Sequence, residues 1–260
     1  MLKINPQKSF LPEYHGYALD FIKSCAAIFM VIDHINTIWL NDSVMTMEMI
    51  GRGTFPLFCY AVAAAILKTK NSDLPREERK KSLRRYLARM FIMALITQPI
   101  YFFAFGGETV NVLFTLALGV IFCAVSFRAK LWQMYALYVI ALVSMLWVLP
   151  LEFGLAGVML PSAIVLVQRG HRSAWPFLIL LLLFMNSGGI LEGLQKHIDP
   201  VGWLLDIMTG LSCIALPWFV LDIAKNMKQT GRFLPKYALY IFYPAHLAVL
   251  TLLAMVFFKS

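Results

Sequence analysis

The chain reads as an all-α integral membrane protein, and three observations carry that reading. Sixty per cent of its residues are hydrophobic and only 14% charged, whereas soluble domains average about 45–50% and about 25%. Apolar runs recur along the chain at the length of bilayer-crossing helices, which need roughly 20 residues. The 23 Lys and Arg residues gather in alternate polar intervals between those runs, the pattern that sets membrane topology.

Taken in order, the apolar runs place spans near 18–40, 53–68, 86–105, 110–127, 131–149, 154–168, 174–191, 201–223 and 236–258. That predicts about nine transmembrane helices, within a range of eight to ten. A polar segment, 1–17, precedes the first span. This first run exceeds a signal-peptide apolar region and has no small-residue cleavage site, so it is read as a retained helix. The spans at 53–68 and 154–168 are short. A basic interval, 68–89, lies between the second and third spans, and no separate soluble domain is expected within 1–260.

With the N-terminus cytoplasmic, all but four of the basic residues fall on the inner side. The exceptions are Arg52, Lys196 and Lys259 outside, and Lys23 within the first span. That asymmetry predicts the N-terminus inside and the C-terminus outside a bacterial cytoplasmic membrane. The outer loops carry Asp42, Glu48, Glu108, Glu152, Glu192 and Asp199, an acidic mouth suited to a cationic substrate.

Asn71 to Pro75 has the composition of a helix start, with capping-type side chains and a proline. An amphipathic helix then leads into the third span, bearing Arg76, Arg79, Lys80, Lys81, Arg84, Arg85 and Arg89. Such a run anchors on anionic lipid head groups. It is equally suited to a phosphorylated ligand, because arginine forks pair with phosphates. The net charge of +9 is thus explained by topology rather than by nucleic acid. Cys25, Cys59, Cys123 and Cys213 lie in apolar runs without paired or ligand spacing, which favours buried, reduced thiols and no metal.

The chemistry concentrates in three places. The first span carries Lys23, Asp33 and His34, and a charge near a helix centre costs at least about 2.5 kcal/mol on insertion scales. Lys23 and His34 are eleven residues apart, so they share one stripe with about 16 Å of axial separation. Asp33 points about 100° away from His34. A histidine there is either a packed structural residue or a general base near neutral pH. The second place is Gly51 to Phe58, where Arg52 either snorkels to the interface, pairs with Asp33, or holds a carboxylate or oxyanion near His34. The third is the last span, where Pro244 frees the Tyr240 carbonyl and sets Tyr243 and His246 together at mid-membrane. Asp206 is a further intramembrane acid. The chain has no phosphate-cradling loop, no zinc-type histidine pair and no nucleophile elbow.

At these three blocks the chain resembles the TraX family of membrane acetyltransferases associated with pilin N-acetylation. They are Asp20-Phe21-Ile22-Lys23 continuing to Met30-Val31-Ile32-Asp33-His34-Ile35-Asn36, then Gly51 to Phe58, then Phe242 to Leu250. More distantly it is similar to the acyltransferase-three superfamily, whose first span carries a basic residue, ten intervening residues and a histidine; Lys23 stands where arginine is usual. Arg76-Glu77-Glu78-Arg79 matches that superfamily's cytoplasmic arginine pair.

The resemblance implies an acetyl-coenzyme A-dependent acetyltransferase. The donor's phosphates would meet the basic interval, Arg76, Arg79, Arg84, Arg85 and Arg89, and its arm would follow the stripe from Lys23 to His34. His34 would act as general base or carry the acetyl group, Asp33 and Arg52 would organise the outer half, and His246 with Tyr243 would stabilise the oxyanion or relay a proton. The acceptor would be a pilin or other N-terminal amine. Alternatives are O-acetylation of an envelope glycan or lipid, a proton-coupled transporter, and a non-catalytic assembly partner.

Overall fold

Helix α1 (Gly16–Leu40) shows how local chemistry sets the first turn of the bundle. Asn41 adopts a left-handed conformation, φ 50°, and ends the helix with its N–H on the carbonyl of Asn36. The buried side chain of Asn36 in turn accepts the N–H of Val44 at 3.0 Å. The chain therefore doubles back at once into α2 (Met45–Gly51), which packs on α1.

α3 (Thr54–Asn71) follows after Arg52 and Gly53. Hydrogen bonds from Arg52 N to Glu48 O at 3.0 Å and from Leu57 N to Gly53 O at 3.4 Å carry the helical ladder across the junction. Met45–Asn71 thus forms one apolar stretch of 27 residues. The sequence expectation of a short span at 53–68 is lengthened, because α2 prolongs α3 at its outer end. α3 is the central helix: 72% of its apolar window is buried within the protein.

α4 (Arg76–Phe105) runs unbroken for 30 residues, so the amphipathic basic segment and the third span are one helix. No side chain caps it, contrary to the expectation for Asn71 to Pro75. The Arg79 guanidinium instead donates to the carbonyl of Lys70 at 2.9 Å. α5 (Val112–Ser126) is capped by Asn111, whose Oδ1 accepts the Leu113 N–H at 3.1 Å while its amide donates to Ala94 O at 2.8 Å. α6 (Leu131–Ser144) and α7 (Gly154–Gln168) follow, then a 3-10 turn (Arg172–Ala174) and α8 (Trp175–Phe184). α9 (Pro200–Lys225) and α10 (Ala238–Phe257) complete the bundle. α5 lies close against α7, where a Cβ on Gly119 would come within 3.1 Å of the Pro161 ring.

In this computed structural model 81% of the described residues are helix and no strand forms among them; they are 11–107, 109–127, 129–144, 151–185 and 200–257. Glu108, Glu192, Lys196 and Asp199 lie outside them, as do the side chain of Asp206 and parts of the expected spans at 131–149 and 174–191.

Ile22, Leu57, Leu67, Leu160 and Leu247 form the fully buried core. Large apolar side chains also face outward: Phe103 is 74% exposed, and Trp218, Phe219, Ile241 and Leu252 are similar. Water would penalise so continuous a belt, whereas hydrocarbon would not. Among the described residues four helices are long and apolar enough to cross a membrane: Met45–Asn71, Arg76–Phe105, Ile207–Lys225 and Ala238–Phe257. Shorter apolar helices accompany them. These helices mark the chain as a membrane protein.

Candidate functional site

His34 of α1 and His246 of α10, 212 positions apart in sequence, meet in the bundle. Nδ1 of His34 lies 2.8 Å from Nε2 of His246, and their rings are parallel with centroids 5.0 Å apart. Both side chains are buried. α10 supplies the next link, because Nδ1 of His246 lies 3.0 Å from the carbonyl of Phe242. A carbonyl only accepts, so His246 donates there. A neutral His246 then presents Nε2 as an acceptor, and Nδ1–H of His34 donates to it. The chain of bonds orients both rings and leaves the Nε2 lone pair of His34 for chemistry. Phe105 closes the other side of His34 edge-on, at 5.2 Å between ring centres.

Two cavities adjoin each other beside this pair: His34 lines the outer one, and neither histidine lines the inner one. The inner one has a volume of about 340 Å³, apolar walls from α3, α4 and α5, and a mouth carrying Lys23, Arg89, Arg232 and Lys236. The outer one is small, about 50 Å³, and is lined by Asp33, His34, Arg52, Thr54 and Glu152. Met30, Phe58, Val112 and Tyr243 line both, so these four side chains form the partition.

The inner mouth is built on a buried acid. Asp20 is fully buried on the first turns of α1, where its carboxylate accepts from Lys23 at 3.3 Å, from Arg232 at 3.4 Å and from the Leu234 N–H at 3.1 Å. One carboxylate thereby fixes two cations and the segment between α9 and α10. Arg89 brings a buried Nε without a hydrogen-bond partner to the same cavity.

The outer cavity is polar and incompletely paired. Arg52 binds Glu48 at 2.6 Å rather than Asp33, while its own Nε, the Thr54 hydroxyl and Oε2 of Glu152 are buried without partners. Gly51 packs directly on the Asp33 carboxyl, and a Cβ there would fall inside it. Glu152, in the loop before α7, faces Tyr101, the Val112 N–H and Asp33. Burial, reinforced by the charge of Asp33, pushes its carboxyl up to about 8.

The residues singled out in the sequence are therefore distributed as follows. His34, His246, Asp33, Arg52 and Tyr243 converge on the histidine pair and the outer cavity. Lys23 and Arg89 share the inner mouth. Arg76, Arg79 and Arg84 line a different groove, and Arg85 is exposed on α4.

Three contributors escaped the sequence reading. Asp20 stands three residues before Lys23, a helical pair spacing that signals it. Arg232 was visible only as a topology charge, and Glu152 only as a loop acid. Among the described residues no group of three or more His, Cys, Asp or Glu is placed to hold a metal ion.

An all-helical membrane protein with paired histidines between a cationic inner mouth and an acidic outer pocket is the class defined by this geometry. The family model for the TraX protein matches residues 18–254, and the chain belongs to that family. It is 28% identical over 255 residues to "Probable fimbrial assembly protein FimC, serogroup H1" of Dichelobacter nodosus, a match covering 88% of this chain and 92% of the relative. No solved structure matches it.

Proposed function

We propose that this chain is a multi-pass acetyltransferase of a bacterial cytoplasmic membrane, with about nine spans and its N-terminus inside, that moves acetyl from acetyl-coenzyme A to an amine. The observation that carries the reading is the hydrogen-bond series from Phe242 O through His246 to His34, set where the two cavities adjoin. It supports a general base whose tautomer is assigned by its neighbour.

The donor enters through the basic inner mouth, its phosphates on Lys23, Arg89, Arg232 and Lys236, and its thioester passes the Met30 and Tyr243 partition. The acceptor enters from the outer cavity. Asp33 attracts it as an ammonium and takes its first proton, while Glu152, held protonated by its burial, lines the pocket as a neutral acid. The amine nitrogen then attacks the thioester carbon. As the C–N bond forms, His34 Nε2 takes the second proton, and His246 stabilises the resulting imidazolium. Collapse breaks the C–S bond, and His34 returns the proton to the leaving sulfur. Arg52 Nε, or the Tyr243 hydroxyl, meets the developing oxyanion.

The Asp33 carboxylate favours an amine over a hydroxyl acceptor, since only the amine arrives as a cation. The relative's printed name concerns fimbrial assembly, which supports the N-terminal amine of a pilin-type subunit.

The test is thiol release from acetyl-coenzyme A by detergent-solubilised protein, supplied with a peptide bearing a free N-terminus. Release should require both the free amine and His34, and the peptide should gain one acetyl group. A protein that neither binds nor cleaves acetyl-coenzyme A, but supports proton-linked flux in vesicles, would overturn the reading in favour of a transporter.

A further inference from the structure

A second basic groove lies apart from the histidine pair. Its volume is about 910 Å³, and its walls come from α3, α4, α5, α6 and α7. Lys70, Arg76, Arg79, Lys80 and Arg84 stand on it, and no acid lines it. It shares no lining residue with either cavity around His34. The two systems part along α3, where Ala65 faces the inner cavity and Ile66 the groove.

Two contacts hold the cations in place. Lys70 Nζ sits 3.4 Å above the centre of the Phe127 ring, and Arg79 is tied to the Lys70 carbonyl. Lys80 is already paired with Glu77 at 2.7 Å, so the charge of the groove comes chiefly from Lys70, Arg76, Arg79 and Arg84, with Arg169 beside the same Phe127 ring at 5.4 Å.

The rest of the groove is apolar. It runs from Leu83 and Leu87 on α4 across to Ile121 and Val125 on α5. Ile121 and Val125 are 45% and 60% exposed, so the floor continues onto the outward apolar belt of the bundle. The groove therefore has a cationic end and an apolar end that opens sideways. A free nucleotide or phosphate matches only the first of these. A phosphodiester head group carrying acyl chains matches both, since lysine and arginine attract the anionic head group and buried methylenes add to the binding.

We infer that this groove is a site for one anionic phospholipid, its phosphate held by Lys70, Arg76, Arg79 and Arg84 and its chains laid over Leu87, Ile121 and Val125. Such a lipid braces the basic half of α4 against α3 and α5. The inference does not depend on the acetyl-transfer reading.

The experiment is native mass spectrometry of the full chain in neutral detergent, titrated with phosphatidylglycerol or phosphatidylcholine. Wild type should bind the first lipid at least tenfold more tightly. R79Q/R84Q should abolish that preference, whereas K225Q/K228Q, removing the same charge elsewhere, should keep it. Ile121→Trp, which fills the floor without altering charge, should also weaken phosphatidylglycerol binding severalfold, and it guards against a folding defect in the arginine variant.

Equal loss from both charge variants would overturn the site in favour of diffuse attraction. Displacement of the lipid by millimolar inorganic phosphate would assign the groove to a free anion. Displacement by desulfo-coenzyme A would assign it to the acyl donor.

Discussion

The inner and outer cavities differ in the chemistry they offer, although one partition of four side chains serves both. The inner cavity is the larger, with apolar walls and four basic groups at its mouth. The outer is about 50 Å³, with two acids, a guanidinium and a hydroxyl. A long anionic molecule with an apolar arm suits the first and a small cationic group the second. On the proposed reading, that contrast would let one buried histidine pair serve two substrates of opposite charge.

The largest expected effect comes from removing the shared group. His34→Ala should lower acetyl transfer by about a thousandfold, within the range for a positioned general base, while donor binding persists. His246→Ala should cost less, about ten- to a hundredfold in kcat, with both KM values little changed, because it orients His34 and does not meet the donor. Equal losses from the two would instead make His246 a direct participant.

Gly51→Ala sharpens the structural side of the comparison. The added methyl must displace the Asp33 carboxyl, and overpacking of this kind typically costs about 1–3 kcal/mol. The Gly51→Ala/Asp33→Gly double variant should lose less than the sum of the two single losses, since alanine at 33 would keep the Cβ that the added methyl meets at 2.6 Å; thermal melting in detergent would read it. Additive losses would show that Gly51 serves the turn and not the acid.

The smallest effect is the titration of Glu152. Its folded value of about 8 lies above the ordinary 4.5, so the protonated acid is the form the fold favours. The associated stability is complete below about pH 4.5 and fades as pH rises through about 8. Relative to Glu152→Gln, wild type should therefore lose melting temperature progressively between about pH 5 and about pH 8 and no more above that. Parallel curves for the two proteins would place the acid in water.

Much of this was legible because intramembrane polar groups are costly enough to stand out one by one. His34, Asp33, Lys23 and His246 were each visible for that reason; of the Lys23–His34 stripe, Lys23 lines the inner cavity and His34 the outer. What could not be read was pairing across the fold. Asp20 meets Arg232 from 212 positions away, and Arg52 chose Glu48, one turn back, over Asp33. Glu152 looked like a solvent acid because only tertiary structure buries it, beside a loop that the Val110–Leu151 bridge ties down. The basic interval looked like one binding surface, yet a helix has more than one face: Arg89 turns to the inner cavity and Arg79 to the separate groove.

The central claim is that donor and acceptor reach His34 from different cavities, and crossed steady-state kinetics test it most directly. Initial rates would be taken over a grid of acetyl-coenzyme A and peptide concentrations for wild type, Lys23→Ala and Asp33→Ala. The account predicts that Lys23→Ala raises the KM for acetyl-coenzyme A about tenfold and leaves that for the peptide unchanged, with Asp33→Ala doing the reverse. If either variant moves both constants together, the two cavities are not separate binding routes and the account is contradicted.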